Sequence, residues 1–402
     1  MIILEILFWL SLALVVYSYL LYPLLMAVLA KLCPRPKQTS ENFAGSVSFV
    51  LCVNNEEARI ETRLNELCRL LPLSERDWEI IVVSDGSTDN TVRLAQTFAD
   101  RNVHVVELVE NVGKAEALSR GAAEAEHDIL VFGDVRQRWA DDAVAKLLSN
   151  FADPRVGAVS GELLIESSPG VMAGVGLYWR CERWLRSNQG KVHSTVGVTG
   201  AICAVRRELF RPIPRGTMLD DVYWPLNVNL QGFRVIHERR ARAFDRFPEK
   251  ASDEFRRKVR TLSGAFQLLT LLPEAALPGR NPVWYAFWSH KITRLIVPWS
   301  LILMMFCSLF LPGPFYRVML ALQLIGYGIG LLGMVPAIGS RVRLAGTVAS
   351  VLVLNAAAFV AFWIWISGRA GQSWHRVKYA PSEQDRTTVD LYETKTTSES
   401  AV

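Results

Sequence analysis

The 402-residue chain lacks any CxxC pair; its six cysteines, at positions 33, 52, 68, 181, 203 and 307, are scattered. That argues against a paired-thiolate zinc site and a disulfide framework, and it fits a domain facing a reducing compartment. There is no GxxxxGKS/T loop and no GxGxxG after a first strand, which removes the P-loop and the nicotinamide dinucleotide fingerprint. No Lys or Arg precedes Lys31. A cleaved leader would start basic, carry a shorter apolar core and end in small residues, so the start predicts a retained anchor. Net charge is only +5, and the basic residues have no aromatic stacking module beside them. Nucleic acid is not an expected partner.

What the chain has in excess is apolar residues, 50% of the total, unevenly spread. Met1 to Cys33 is nearly continuously apolar, longer than the ~20 residues a bilayer crossing needs. Leu295–Pro312, Val318–Ile338 and Leu344–Ser367 read as further spans, with Phe287 to Trp299 as an interfacial lead-in. The expected organisation is an N-terminal membrane helix over 1–33, a globular α/β domain over 34–280, an interfacial segment over 281–294, about three membrane helices over 295–367, and a polar tail over 368–402 with the composition of disorder. Basic clusters at Lys31, Arg35 and Lys37, from Arg239 to Arg260, and at Lys291 and Arg294 sit where such a domain approaches an anionic inner leaflet. Arg369, Arg376 and Lys378 would then fall outside, against the same rule, so the side of the tail is open. Gly326, Gly328, Gly330 and Gly333 would allow close packing in a hairpin of the second and third spans.

In the middle region, apolar runs alternate with helical patterns. SVSFVLCVNNEE, WEIIVVSDGSTDNT, NVHVVELVE and HDILVFGDV read as strands, with helices between them. This predicts a mainly parallel sheet covered on both faces, with ligands at the carboxyl ends of the strands. Asn54, Asn55, Asp85, Gly86 and Asp134 lie there, suited to a nucleotide held partly through a divalent cation. VGAVSGELLI is another strand, and the segment with Trp179 and Trp184 an amphipathic helix. MLDDVYW places Asp220 and Asp221 at a helix start, where the dipole stabilises negative charge; N-capping alone explains one of them.

These motifs, in this order, resemble the family 2 glycosyltransferases with a GT-A domain, the group that includes membrane cellulose and hyaluronan synthases. VNNEE, VVSDGSTDNT, NVGKAEAL, VFGDVRQ, VTGAICAVRR, LDDV and RRKVRT carry the likeness, from about Ser46 to Arg294. The resemblance implies a GT-A fold (a Rossmann-like mixed sheet) and inverting transfer from a nucleotide sugar, a UDP-sugar by preference, to a growing polysaccharide or lipid-linked glycan. It implies donor contacts from Asn55, Glu56, Asp85, Lys114, Asp134, Arg136, Arg257 and Arg260, with Asp85 at the uracil or ribose and Arg260 at the diphosphate. Asp134 would hold Mg2+ or Mn2+. Asp221 would be the general base, supported by Asp220. Thr199, Gly200, Ala201 and Trp224 would lie on the acceptor side. The catalytic domain would face the cytoplasm of a bacterial-type inner membrane, with membrane lipids and export or biosynthesis subunits as partners.

The chain departs from that pattern twice. Arg136 stands where a second carboxylate would complete a metal clamp. It either forks onto diphosphate or donor sugar, or points away and pairs with Asp141 or Asp142. Thr261 stands where processive synthases place a tryptophan. Trp224, Trp179 or Trp184 could supply a sugar platform or be ordinary packing, so product length is open. Two rival readings remain: a single-transfer enzyme acting on a polyprenyl phosphate, and a catalytically inactive GT-A scaffold subunit.

Overall fold

The computed structural model of the protein describes residues 1–72, 77–166, 173–246, 251–339 and 341–368. The polar tail with Arg369, Arg376 and Lys378, and the side chain of Trp179, lie outside the described residues.

Three aliphatic runs make the centre of one sheet: β1 (Val47–Val53), β2 (Trp78–Asp85) and β4 (Ile129–Gly133), with β3 (Val103–Leu108) at its edge. β1 and β4 carry buried residues on both faces, as strands covered by helices on each side must. Phe49 and Leu51 pack with Leu64 and Leu67 of α3 (Ile60–Leu70). Val50 packs on the other face with Ala117 and Leu118 of α5 (Lys114–Glu124). The remaining strands are β5 (Arg138–Trp139), β6 (Val156–Glu166), β7 (Ile202–Arg206) and β8 (Arg234–Arg246), giving the order β3-β2-β1-β4-β7-β6-β8-β5.

The sheet is mixed, as the family resemblance implies, rather than mainly parallel as the strand–helix alternation alone suggests. β7 runs antiparallel to both β4 and β6, and β5 antiparallel to β8. The reversal has a positional consequence: Gly133, the last residue of β4, pairs with Ile202, the first of β7. The turn leading into β7 is thereby delivered to the carboxyl end of β4. β8 was read in the sequence as part of a leaflet-facing basic cluster. Arg234–Arg246 is a strand paired to β6, so only part of that cluster is available to a membrane.

The N-terminal helix is continuous, as expected, and the segment over 281–294 joins the helix after it. α1 (Ile2–Val16), a π-helical turn (Tyr17–Leu21) and α2 (Tyr22–Leu32) form one N-terminal rod. α10 (Trp284–Ala286), a second π-helical stretch (Phe287–Ile292) and α11 (Thr293–Phe310) form another. The expected interfacial segment is therefore helical and continuous with the apolar helix that follows it. Among the described residues, four helical stretches are long and apolar enough to cross a membrane: Ile2–Leu32, Trp284–Phe310, Pro314–Gly333 and Leu344–Ile366. The last two belong to α12 (Pro314–Gly333) and α14 (Arg343–Ile366). Of the four glycines in α12, Gly330 and Gly333 face α14, meeting Leu352 and Ala345, whereas Gly326 and Gly328 meet nothing. The close approach is thus to the last helix rather than within the expected hairpin. The N-terminal rod is integrated with the rest: Phe8 packs with Met304 and Cys307, and Tyr22 and Met26 pack with Leu185.

Candidate active site

β1, β2 and β4 are parallel neighbours, with Val53 opposite Ser84 and Leu51 opposite Gly133. The residues that follow each strand must therefore emerge together. The first two loops knit into each other. The Asn55 amide donates to Ser87 Oγ (3.0 Å), and Asn55 Oδ1 accepts from the Thr88 and Asp89 amides (2.7 and 3.3 Å). The Glu56 amide donates to Thr91 Oγ1 (2.7 Å), while the Glu56 carboxylate pairs with Arg59. Asn55 holds φ +53° to do this, a conformation asparagine tolerates better than most residues. Asn55 and Glu56 thus organise the cleft wall.

Asp85 is buried, and its two oxygens accept from the Val112 and Gly113 amides (2.7 and 3.0 Å). This fixes the chain immediately before α5. Lys114 then opens α5, where the helix dipole disfavours a cation. Acids hold it there: Lys114 Nζ donates to Asp134 Oδ1 at 2.6 Å. Burial works to lower the ammonium's pKa, but the charges of Asp134 and Asp220 outweigh it and raise it.

Asp220 and Asp221 open α8 (Asp220–Leu230). Asp220 lines a small pocket with Lys114, Cys52, Gly133, Gly200 and Trp224. Burial, offset by Lys114 and reinforced by Asp221 and Asp134, pushes its carboxyl up to about 6. Asp221 lies on the side of the glycine turn. A Cβ on Gly200 would sit 3.7 Å from Asp221 Cβ and 3.8 Å from Lys114 Nζ, and the Asp221 carbonyl accepts from the Val198 amide (2.8 Å). One continuous path therefore runs from Asp85 through Lys114 and Asp134 to Asp220, Gly200 and Asp221. Burial pushes the Cys52 and Cys203 thiols up, which removes thiolate chemistry from beside these acids.

The other expected site residues fall in less direct places. Thr199 Oγ1 accepts from Arg186 (3.1 Å) and the Thr199 amide donates to Ser160 Oγ (2.9 Å). The Ala201 carbonyl accepts from Trp139 Nε1. Trp224 is 2% exposed and lies against Phe132 and Phe210; its ring is core packing and offers no open face to a sugar. Trp184, 47% exposed, is the open ring of the two whose side chains are described. Arg257 pairs with Glu254 (2.6 Å) on α9 (Ala251–Leu271). Arg260 lies one turn before Gly264, which packs on Met218 and Leu219; helical periodicity places Arg260 on the stripe facing the segment that precedes Asp220.

Arg136 forks onto Asp245 of β8 (3.0 and 2.6 Å), and Gln137 also donates to Asp245 (3.0 Å). Asp141 is taken by Arg69. From the other side Arg63, held between Phe49 and Trp139, donates to the Gln137 carbonyl (2.9 Å). The segment after Asp134 is thus clamped between β8 and α3. Nothing in the spacing of Arg63 or Asp245 announces these contacts. Each is made across a long sequence separation, and arginines and acids in a strand or helix otherwise read as solvated surface.

No cluster of three or more His, Cys, Asp or Glu fit to hold a metal occurs among the described residues. Asp134 is the one carboxylate at the end of β4, and its Oδ2 takes no hydrogen bond among them. That donor set fits a hard cation completed by phosphate oxygens and water, and does not fit an all-protein cage.

Residues 48–213 match the family described as Glycosyl transferase family 2. Among curated proteins, the poly-beta-1,6-N-acetyl-D-glucosamine synthase of Staphylococcus aureus is 27% identical over 236 residues, covering 56% of this chain and 55% of that protein. The synthase of the same name from Staphylococcus epidermidis is 24% identical over 230 residues, again covering 56% of this chain and 55% of the relative. The chain thus spans about half the length of the curated relatives it matches. Among solved structures, a mannosyltransferase of Pyrobaculum calidifontis in complex with GDP-Man and Mn2+ superposes with a TM-score of 0.67 at 21% identity, covering 90% of this chain and 99% of that one. Residues 48–213 are thus similar to the family 2 glycosyltransferases, in a mixed-sheet domain with the GT-A fold, and the described residues also include helices apolar enough to cross a membrane.

Proposed function

We propose that this protein is an inverting membrane glycosyltransferase. It moves a sugar, N-acetylglucosamine in the first instance, from a UDP-sugar onto a growing polysaccharide or lipid-linked glycan. The observation that carries the reading is the Lys114–Asp134 pair set among Asp85, Asp220 and Asp221. Acids from two distant regions of the chain, Asp134 and Asp220, hold a cation at the strand ends, where a GT-A domain receives its donor. The curated relatives' names supply the sugar and the polysaccharide.

In this mechanism Asp221 takes the proton from the acceptor hydroxyl on the face opposite the leaving group. Asp220, protonated or ionised near neutrality, tunes that base as its neighbour. Lys114 and Arg260 supply positive charge to the departing diphosphate without proton transfer. Asp134 is the residue that would hold Mg2+ or Mn2+, whose chemistry there is to stabilise the same charge. Arg136, committed to Asp245, keeps the segment beyond Asp134 in place. The catalytic domain faces the cytoplasm, where nucleotide sugars are held; Lys31 and the exposed Arg239 and Arg240 fit that side. Export or biosynthesis subunits would take the product.

The test is a screen of nucleotide sugars for nucleotide release by the purified full chain in nanodiscs with Mn2+ or Mg2+. The proposal expects UDP-N-acetylglucosamine to give turnover. Release of no nucleotide from any sugar donor would favour the scaffold reading.

A further inference from the structure

The two π-helical stretches face each other. Tyr17 Oη and Ser289 Oγ, one from each, are 2.6 Å apart. π-helical turns widen a helix, are costly, and concentrate at functional places. Here the second one, with the start of α11, delivers His290 and Arg294 onto a single carboxylate, Glu182 of α7 (Ala173–Val192). His290 Nε2 is 3.0 Å and Arg294 Nη1 2.9 Å from Glu182. His290 Nδ1 meets Gln189 Nε2 (3.1 Å), which also donates to Tyr22 Oη (2.7 Å). Glu182 is 5% exposed.

A carboxylate this buried is unfavourable unless several donors hold it, and an apolar residue would serve packing equally well. The pattern of its partners says what it is for. Besides the two groups on the membrane helix, Glu182 holds Arg186 one turn along α7 (3.4 Å). Arg186 uses its other nitrogen to donate to Thr199 Oγ1 (3.1 Å). Gly200, the next residue, borders both Asp221 and Lys114.

We propose that Glu182 is a positioning residue for the acceptor. Through Arg186 it fixes the Thr199–Ala201 turn, and through His290 and Arg294 it references that turn to the membrane helices. The idea rests on the reading of this turn as the acceptor side. The donor wall, built from Asn55, Asp85 and the Ser87–Thr91 loop, is held by contacts of its own with Ser87, Val112 and Gly113. Loss of Glu182 should therefore separate the two substrates.

The experiment uses the full chain in nanodiscs, with UDP-N-acetylglucosamine and a β-1,6-linked N-acetylglucosamine pentasaccharide as the acceptor probe. Glu182→Gln, which keeps shape and removes charge, should raise the KM for the pentasaccharide about tenfold. The KM for the donor and acceptor-free donor hydrolysis should stay within about twofold. Arg186→Lys should show the same split, because an ammonium cannot bridge Glu182 and Thr199 as a guanidinium does. It also serves if Glu182→Gln does not fold. Amide hydrogen exchange, which needs no substrate, should speed up at least tenfold in a peptide spanning 197–203, with 80–90 unchanged. Equal losses for donor and acceptor, or unchanged exchange at 197–203, would overturn the inference. A wild-type protein that hydrolyses no donor would overturn the proposed function instead, and the exchange result would still decide the role of Glu182.

Discussion

At the scale of the residue, the site's most informative group is Asp220. Its carboxyl is raised to about 6, chiefly by burial. Between about pH 4 and 6 the folded protein keeps a proton that the unfolded chain has lost. Stability from this group therefore falls as pH rises through that window, by about 3 kcal/mol at most. Asp220→Asn removes the effect. Thermal unfolding of the variant should match wild type near pH 4 and exceed it above pH 6, and a variant less stable than wild type at pH 7 would contradict this. Activity moves oppositely: kcat/KM should fall below about pH 6, as Asp220 takes up its proton beside the base. Much at this scale was legible in the sequence, because strand-end acids and the paired Asp220–Asp221 are local patterns. The environment of Arg136 was not. Both readings offered for it look to ligand or to sequence neighbours, whereas its partner, Asp245, comes from a strand 109 residues away.

At the scale of the element, the central strands could be read because β1, β2 and β4 are short aliphatic runs with turn residues after them. β8 could not. RVIHERRARAFDR alternates charge with small apolar residues, a pattern that fits an exposed basic segment as well as a strand, and only pairing with β6 across some 80 residues decides between them. The antiparallel insertion of β7 was likewise invisible, since pairing direction is a property of topology. Gly86 gives this scale its prediction. It adopts φ +65°, and a Cβ there would lie 2.5 Å from the Asn111 nitrogen and 2.7 Å from the Glu110 carbonyl carbon. Backbone cannot yield as a side chain does. Gly86→Ala should cost about 1–3 kcal/mol and weaken UDP-sugar binding more than tenfold, read by calorimetric titration. Wild-type donor affinity in that variant would show that the β2 turn does not shape the donor site.

At the scale of the whole molecule, the α/β domain and the long apolar helices form a single packed structure. α7 lies between the sheet and the helices, with Arg183 on Glu162 of β6 (2.7 Å) on one side and Glu182 on His290 and Arg294 on the other. The linker after the first helix is tied down too: Lys37 pairs with the buried Glu238 of β8 (2.8 Å). That pairing shows why a basic cluster near a span can be part of the fold as well as a topology signal. The central claim is that Asp221 activates an acceptor hydroxyl beside a UDP-sugar held at Asp134 and Lys114. The most direct measurement is acceptor-dependent UDP release by Asp221→Asn beside wild type, both in nanodiscs with UDP-N-acetylglucosamine, Mn2+ and the pentasaccharide. A base contributes about 10²–10⁴-fold, so the variant should lose at least a hundredfold in kcat while the donor KM holds. A variant that keeps wild-type kcat would contradict the claim and point to an acceptor, such as a lipid phosphate, that needs no deprotonation.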